Sequence, residues 1–467
     1  MSYPDPSTLQ ASELLEATIQ QLEVVAPEDA AEVLRDEVRR RALALDSFVS
    51  HAPDRAQIAE ELSEVDVERV IQLVGTTRTA LHLIAAAIVE LGTTARAIAD
   101  TVQWMELRPV GKDGTQQHLG VDVAYILLYR ALTREQRWLL HTLAVWSPLP
   151  ATISREHALT VAVQSGIALD ELVTPEDLDH LVALALVDRA DLHPEADLAT
   201  RSPSTYQRIR IDPYVRYIAS SGLTTWTIPA KRIDELAHLE PTDIVTATFT
   251  NWGVRFAEVI AGPTLPTPND VQSSDDEATA DDDAPTLTPE PALEALTDDE
   301  AWVALEPEAP HILLAAAYAR ELGAAEHIYR LCQLLGPLLR RNGTPPARAL
   351  LRPLLESGLL AARMVKATNE TLLLATQLAD LAIDEHEWER AEMLADEALA
   401  AALQRKDMRV IGFATRRVAA LAVRLRHSAK AMTRAKQAVA LARANGDRAE
   451  LDESITLLAA ATKLAEG

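Results

Sequence analysis

Residues 388–407 read WERAEMLADEALAAALQRKD and residues 428–447 read SAKAMTRAKQAVALARANGD, one helix written twice at an offset of 40 residues. Ala391, Ala395, Ala398 and Ala402 recur as Ala431, Ala435, Ala438 and Ala442. The spacing i, i+4, i+7, i+11 lays them in one helical stripe, where small side chains let a neighbouring helix approach closely. The preceding helix repeats too: Ala379, Leu381 and Ala382 become Ala419, Leu421 and Ala422. A helix pair cannot bury its apolar face alone. Repeated pairs stack, and stacks present extended binding surfaces. This part of the chain is therefore expected to be an interaction scaffold.

The whole chain has 467 residues, room for about three domains. Its apolar content is 48% with only 4% aromatic, and alanine and leucine dominate, which favours helix over sheet. The expected class is all-α and multi-domain. The single cysteine, Cys332, excludes an internal disulfide framework and fits a reducing compartment. In the apolar run Ile328 to Leu335 it reads as a small buried hydrophobe rather than a nucleophile. The first residues lack the basic and apolar regions of a signal peptide. The longest apolar stretch, Ala80 to Leu91, is too short to span a bilayer and holds His82 and Glu90. These features predict a cytoplasmic protein with no membrane contact.

The net charge of −26 is uneven. From Asp270 to Pro310 there are 14 acids and no base, whereas His311 to Gly467 carries 22 Lys/Arg against 18 Asp/Glu. Four regions follow. Residues 1–118 read as a helical domain. In residues 119–262, Thr133-Arg134-Glu135-Gln136 is a capping box, Ser154 can cap the next helix, and Thr174-Pro175-Glu176-Asp177 opens another. Leu186-Val187-Asp188 is strand-like and should pair with Arg208-Ile209-Arg210-Ile211. Asp212-Pro213 then starts a helix. Three helices and a two-stranded ribbon predict a winged helix, with a long wing over Ala190 to Tyr206. Residues 263–304 read as an acidic disordered linker. Residues 305–467 read as helical hairpins, with Gly323, Gly343 and Pro345-Pro346 marking the first turns.

In this order, these residues resemble the C-terminal two-thirds of a bacterial STAND or NB-ARC signal-transduction ATPase with tetratricopeptide-like (TPR-like) repeats. Val25-Ala26-Pro27-Glu28-Asp29-Ala30 looks like the segment entering that family's small helical domain. Gly75-Thr76-Thr77-Arg78-Thr79-Ala80-Leu81 falls at its Gly-Leu-Pro-Leu-type motif, Ile211-Asp212-Pro213-Tyr214 at its Met-His-Asp-type motif, and Leu305-Glu306-Pro307-Glu308 at the lead-in to its repeats. The resemblance implies a helical domain, a winged helix and a repeat array. It does not extend to the nucleotide. No Gly-x-x-x-x-Gly-Lys-Ser/Thr loop occurs in the 467 residues, so nothing cradles a β-phosphate. Arg78 stands where the family's proline meets the base. Asp212 stands where its histidine reaches phosphate, and Asp212 also has a sufficient role as an N-cap before Pro213.

Catalytic and metal patterns are missing from the sequence as well. The histidines form no His-x-x-x-His or His-Glu-x-x-His. Glu385-His386-Glu387 reads as a solvated turn, His82 as a core residue, and no carboxylate pair stands out. The helix after Thr174 carries Glu176, Asp177 and Asp179 without a base, which disfavours nucleic acid. The basic run Arg405, Lys406, Arg409, Arg416, Arg417, Arg424, Arg426, Lys430 and Arg434 reads either as a solvated face or as a docking surface for an acidic protein partner. The expectation is a non-enzymatic regulator or scaffold without cofactors, working by movement of the array against the winged helix. The rival readings are a STAND-type component whose nucleotide-binding domain lies on another chain and a winged-helix DNA-binding regulator.

Overall fold

A computed structural model of the chain describes residues 22–43, 62–104, 116–146, 152–165, 173–190, 208–223, 240–261 and 296–466. The described residues are overwhelmingly helical, and the chain is all-α and multi-domain. The polar link at 111–114, most of the expected wing and the linker from 263 to 295 lie outside them. Two compact units divide the chain, Met1–Trp252 with Pro307–Leu314, and Gly253–Glu306 with Ala315–Gly467.

The first unit opens with α1 (Ala30–Leu43), α2 (Glu64–Val74), α3 (Arg78–Glu90), α4 (Ala95–Trp104) and α5 (Gln116–Ala131). The α3 helix is buried along nine positions from Ala80 to Val89, because α1 and α5 pack on it. It ends at Leu91 and Gly92, the latter at φ 60°, a left-handed angle that suits glycine. Next come α6 (Arg134–Trp146), β1 (Ile153–Ser154), α7 (Arg155–Gln164), α8 (Pro175–Ala183), β2 (Asp188–Arg189), β3 (Arg208–Arg210), α9 (Pro213–Leu223) and α10 (Pro241–Ala261), whose residues from Gly253 on belong to the second unit. The two-stranded ribbon forms, Asp188 opposite Arg210 and Arg189 opposite Ile209, but its first strand is Asp188–Arg189, so Leu186 and Val187 lie before it rather than in it. The sequence reading missed a third strand: β1 pairs antiparallel with β3, giving the order β1-β3-β2.

Helix starts here follow local chemistry. Thr133 and Gln136 close a reciprocal box, at 3.1 and 3.2 Å. At α8 the Asp177 carboxylate accepts from the backbone N–H of Thr174 at 2.9 Å and from its hydroxyl at 3.1 Å. The Gln136 amide also reaches Asp177 at 3.2 Å, joining the two caps. Ser154 is the N-cap residue of α7, but its side chain makes no cap hydrogen bond, correcting the expectation.

The second unit contains α11 (Asp298–Leu305), and after a single 3-10 turn α12 (Ala309–Glu321) begins within the first unit's segment. The expected linker is thus corrected at its end. Residues 298–304 are helical because Thr297 and Glu300 form a capping box, Ala301 and Leu305 are buried, and Arg341 grips Asp298. The stack continues with α13 (Ala325–Asn342), α14 (Pro345–Val365), α15 (Thr368–Asp384), α16 (Trp388–Arg405), α17 (Met408–Arg424), α18 (Ser428–Asn445) and α19 (Arg448–Glu466). α15, α17 and α19 start at residues 368, 408 and 448, the 40-residue period of the sequence. All eight stripe alanines are at most 3% exposed. The backbone repeats as well. Lys366, Lys406 and Gly446 end α14, α16 and α18 at φ 56°, 61° and 71°, and His386 and Arg426 lie at 62° and 58°.

Candidate functional site

Alternate helices of the stack share a face. Arg340 on α13 reaches Asp380 on α15 at 3.7 Å and donates to the Gln377 carbonyl at 2.9 Å, while Arg417 on α17 pairs with the same Asp380. Leu373 and Phe413, one period apart on α15 and α17, are each 43% exposed along that face. The helices between form the opposite side. Glu356 on α14 pairs with Arg390 on α16, and one period later Asp396 on α16 pairs with Lys430 on α18 at 2.5 Å.

The structure divides the nine basic residues of the predicted docking ridge. Arg405, Lys406 and Arg409 cluster at the turn from α16 to α17; they are exposed and form no ion pair among the described residues. Arg426 is exposed at the opposite edge, in the turn from α17 to α18. The others are engaged. Arg424 lies 3.8 Å over the Trp388 ring, Arg434 donates to Gln437 at 3.0 Å, and Lys430 holds Glu392 and Asp396. Arg416 corrects the expectation of outward-facing cations. It is 8% exposed and donates to Glu450 on α19 at 2.9 Å, a bond that raises its own pKa and lowers that of Glu450.

In the first unit, polar chemistry collects at two places, the first of them buried. Arg208 on β3 and Glu308 are both fully buried and paired at 2.6 Å. Arg208 also donates to the Thr152 hydroxyl at 2.6 Å and its carbonyl at 2.5 Å, while His311 meets the other Glu308 oxygen at 2.8 Å. Burial disfavours the Glu308 charge, but the bonds to His157 and His311 and the Arg208 charge outweigh it, holding the carboxyl well below its ordinary range. Sequence reading saw Glu308 as part of a lead-in motif and missed its partner 100 residues away.

The second place is where the resemblance puts nucleotide contacts. Asp212 Oδ1 accepts from the N–H groups of Tyr214 at 2.8 Å and Val215 at 3.3 Å, an N-cap for α9. Its Oδ2 accepts from the Thr79 hydroxyl at 2.9 Å. Arg78 pairs with Glu23 at 2.8 Å. Both Asp212 oxygens are thus engaged within the chain. Beside them, His82 on α3 is not a core residue as expected: it sits among Glu37, Arg41 and Asp188.

Cys332 is buried and its thiol is pushed up to about 12 by that burial, which suits packing rather than nucleophilic chemistry. His386 stacks on Trp388, with ring centroids 5.3 Å apart, and Glu385 and Glu387 pair with Arg352. Among the described residues, no group of three or more His, Cys, Asp or Glu is placed to hold a metal ion, and no single helix is long and apolar enough to cross a membrane.

No family model matches the chain, and no curated protein matches it. Among solved structures it is similar to the Signal Transduction ATPase with Numerous Domains (STAND) protein with a tetratricopeptide repeat sensor from Pyrococcus horikoshii. The identity is 11% and the TM-score 0.27, over 95% of this chain and 59% of that one, so this chain spans less than two thirds of that protein.

Proposed function

We propose that this chain is a non-enzymatic regulatory scaffold that captures an acidic protein partner on its repeat stack. One observation carries the reading. The alanine and leucine stripes are consumed in stacking, while Arg405, Lys406 and Arg409 stand together at one edge, exposed and without ion pairs among the described residues. Such a cluster steers and orients an acidic surface through electrostatic complementarity.

At a finer level, we read the stack as TPR-like and the helix–strand–helix–helix–strand–strand unit as a winged helix in a STAND-type arrangement. The strand order β1-β3-β2 supports the second reading. The period of 40 residues is longer than the 34 of a tetratricopeptide motif, so the likeness lies in stacked helical hairpins. We read the α8 helix as a packing element rather than a nucleic-acid reader. Its Asp177 and Asp179 are bound to Gln136 and Arg155.

The test is quantitative capture. Full-length chain carrying Arg405→Glu, Lys406→Glu and Arg409→Glu is immobilised beside the unaltered protein, and the proteins each retains from the native cell are compared. The reading requires loss of an acidic protein at unchanged melting temperature. Equal recovery of every retained protein by both forms overturns it.

A further inference from the structure

His82 lies on α3 between acids of two other elements. Its Nδ1 is 2.7 Å from Glu37 Oε1 on α1, and its Nε2 is 3.6 Å from Asp188 Oδ1 on β2. The same Nε2 is 2.8 Å from Arg41 Nη2 on α1. A guanidinium only donates. The same Nη2 is also 3.4 Å from Nδ1, so Arg41 lies beside the ring rather than on the Nε2 lone pair, and the neutral tautomer is set by Glu37: a carboxylate only accepts, which places the proton of the neutral ring on Nδ1.

Protonation reverses the role of Nε2. It becomes a donor and finds Asp188 Oδ1, 3.6 Å away, as an acidic acceptor. Arg41 does not need the ring to stay in place. Its Nε donates to Glu37 at 2.8 Å and its Nη1 to the Ala183 carbonyl on α8 at 2.9 Å.

We propose that His82 is a proton-operated selector, fastening α3 to α1 alone when neutral and also to the β2–β3 ribbon when charged. The other charged groups around it are Arg40 on α1, which interacts with both Glu37 and Asp188, Arg210 on β3 at 3.6 Å from Asp188, and Glu90 on α3, which faces Arg41 and also His180 of α8. Burial opposes the charged ring, but bonding to Asp188 and Glu37 outweighs it and holds the His82 pKa above its ordinary value. That supports a switch working near neutrality. The selector is independent of whether the repeat stack binds a partner.

Two readouts on the full chain test it. Imidazole nitrogen NMR should show the Nδ1–H form of His82 at alkaline pH, with a midpoint above that of an exposed histidine. Asp188→Asn should lower that midpoint by about one unit. Hydrogen exchange should be followed at the Ala190 amide, which donates to the Arg208 carbonyl at 3.0 Å across the ribbon. After correction for intrinsic rates, its protection should rise several-fold between about pH 8 and pH 6, and the rise should vanish in both Asp188→Asn and His82→Gln. An Nε2–H form at alkaline pH, or Ala190 protection that ignores pH in the unaltered chain, overturns the proposal. So does an equal rise in Asp188→Asn, which settles the matter even if His82→Gln fails to fold.

Discussion

The Thr79 hydroxyl donates to Asp212 Oδ2 at 2.9 Å, so the first turn of α3 and the cap of α9 share one hydrogen bond across 133 residues of sequence. The other Asp212 oxygen holds the backbone of α9. One carboxylate therefore starts a helix and ties it to another.

Asp212→Ala should destabilise the first unit by about 1–2 kcal/mol, the range for a lost cap plus a hydrogen bond. Thr79→Val should cost less, about 1 kcal/mol. In a double-mutant cycle followed by urea unfolding, the two should be non-additive. Strict additivity would show that the shared bond adds nothing to the cap.

The Arg208–Glu308 pair makes a sharper prediction. Glu308→Leu alone strands a buried guanidinium and should cost about 3–5 kcal/mol. Adding Arg208→Met removes the stranded charge and should recover most of the loss. If the double variant is as unstable as the single one, the pair fixes geometry that apolar packing cannot replace.

Acid should loosen the first unit. Glu37, Asp188 and Glu308 all have carboxyls held below their ordinary range; burial works against their charge, and bonds to His82 or to His157 and His311 outweigh it. Lowered folded pKa values mean stability that is present above the unfolded pKa, about 4, and lost as pH falls through the folded values. His82, with its pKa raised, works in the opposite sense: its contribution is complete below about pH 6.5 and disappears as pH climbs through the folded value. Thermal unfolding from about pH 5 to pH 2 should show a falling midpoint, with a shallower fall in Glu37→Gln.

Charge reversal should sort the basic residues of the stack. Arg416→Glu confronts Glu450 and Glu453 from a nearly buried position and should lower the melting temperature by several degrees. Arg409→Glu on the same helix is exposed and should change stability by under about 0.5 kcal/mol. Equal effects in a melting experiment would contradict the assigned burial.

The helix turns offer a stabilising test. Lys366 and Lys406 occupy the left-handed region that Gly446 occupies one period later. Glycine there avoids a penalty of about 1 kcal/mol. Lys366→Gly and Lys406→Gly should each raise the chemical-denaturation midpoint, whereas Gly446→Lys should lower it.

The same turns show what was legible. Gly446 announces a helix end, but lysine carries no such signal, so the equivalent turns at 366 and 406 emerge only from the period. The alanine stripe was readable because one spacing recurs with one residue type. The β1 strand was not, since two residues have no periodicity. Thr297 and Glu300 did spell a capping box, and the surrounding acidity hid it. The fate of Arg416 was invisible for another reason. Charge along a sequence does not say which cation meets a carboxylate 34 residues on, and Arg208 meets its partner at still longer range.

The pairs Glu356–Arg390 and Asp396–Lys430 give the stack a repeating joint. Each joins an acid on the earlier helix to a base on the later one, 34 residues along. The two acids stand 40 residues apart, as do the two bases. The same joint thus recurs at the same register in successive repeats. Excising residues 368–407 would bring Glu356 opposite Lys430, acid to base, and the joint would close. Excising half that length would bring together surfaces that were never cut to fit. The unit of inheritance in this stack is the whole period, and chains of different length built from it should differ in reach while keeping the same joints.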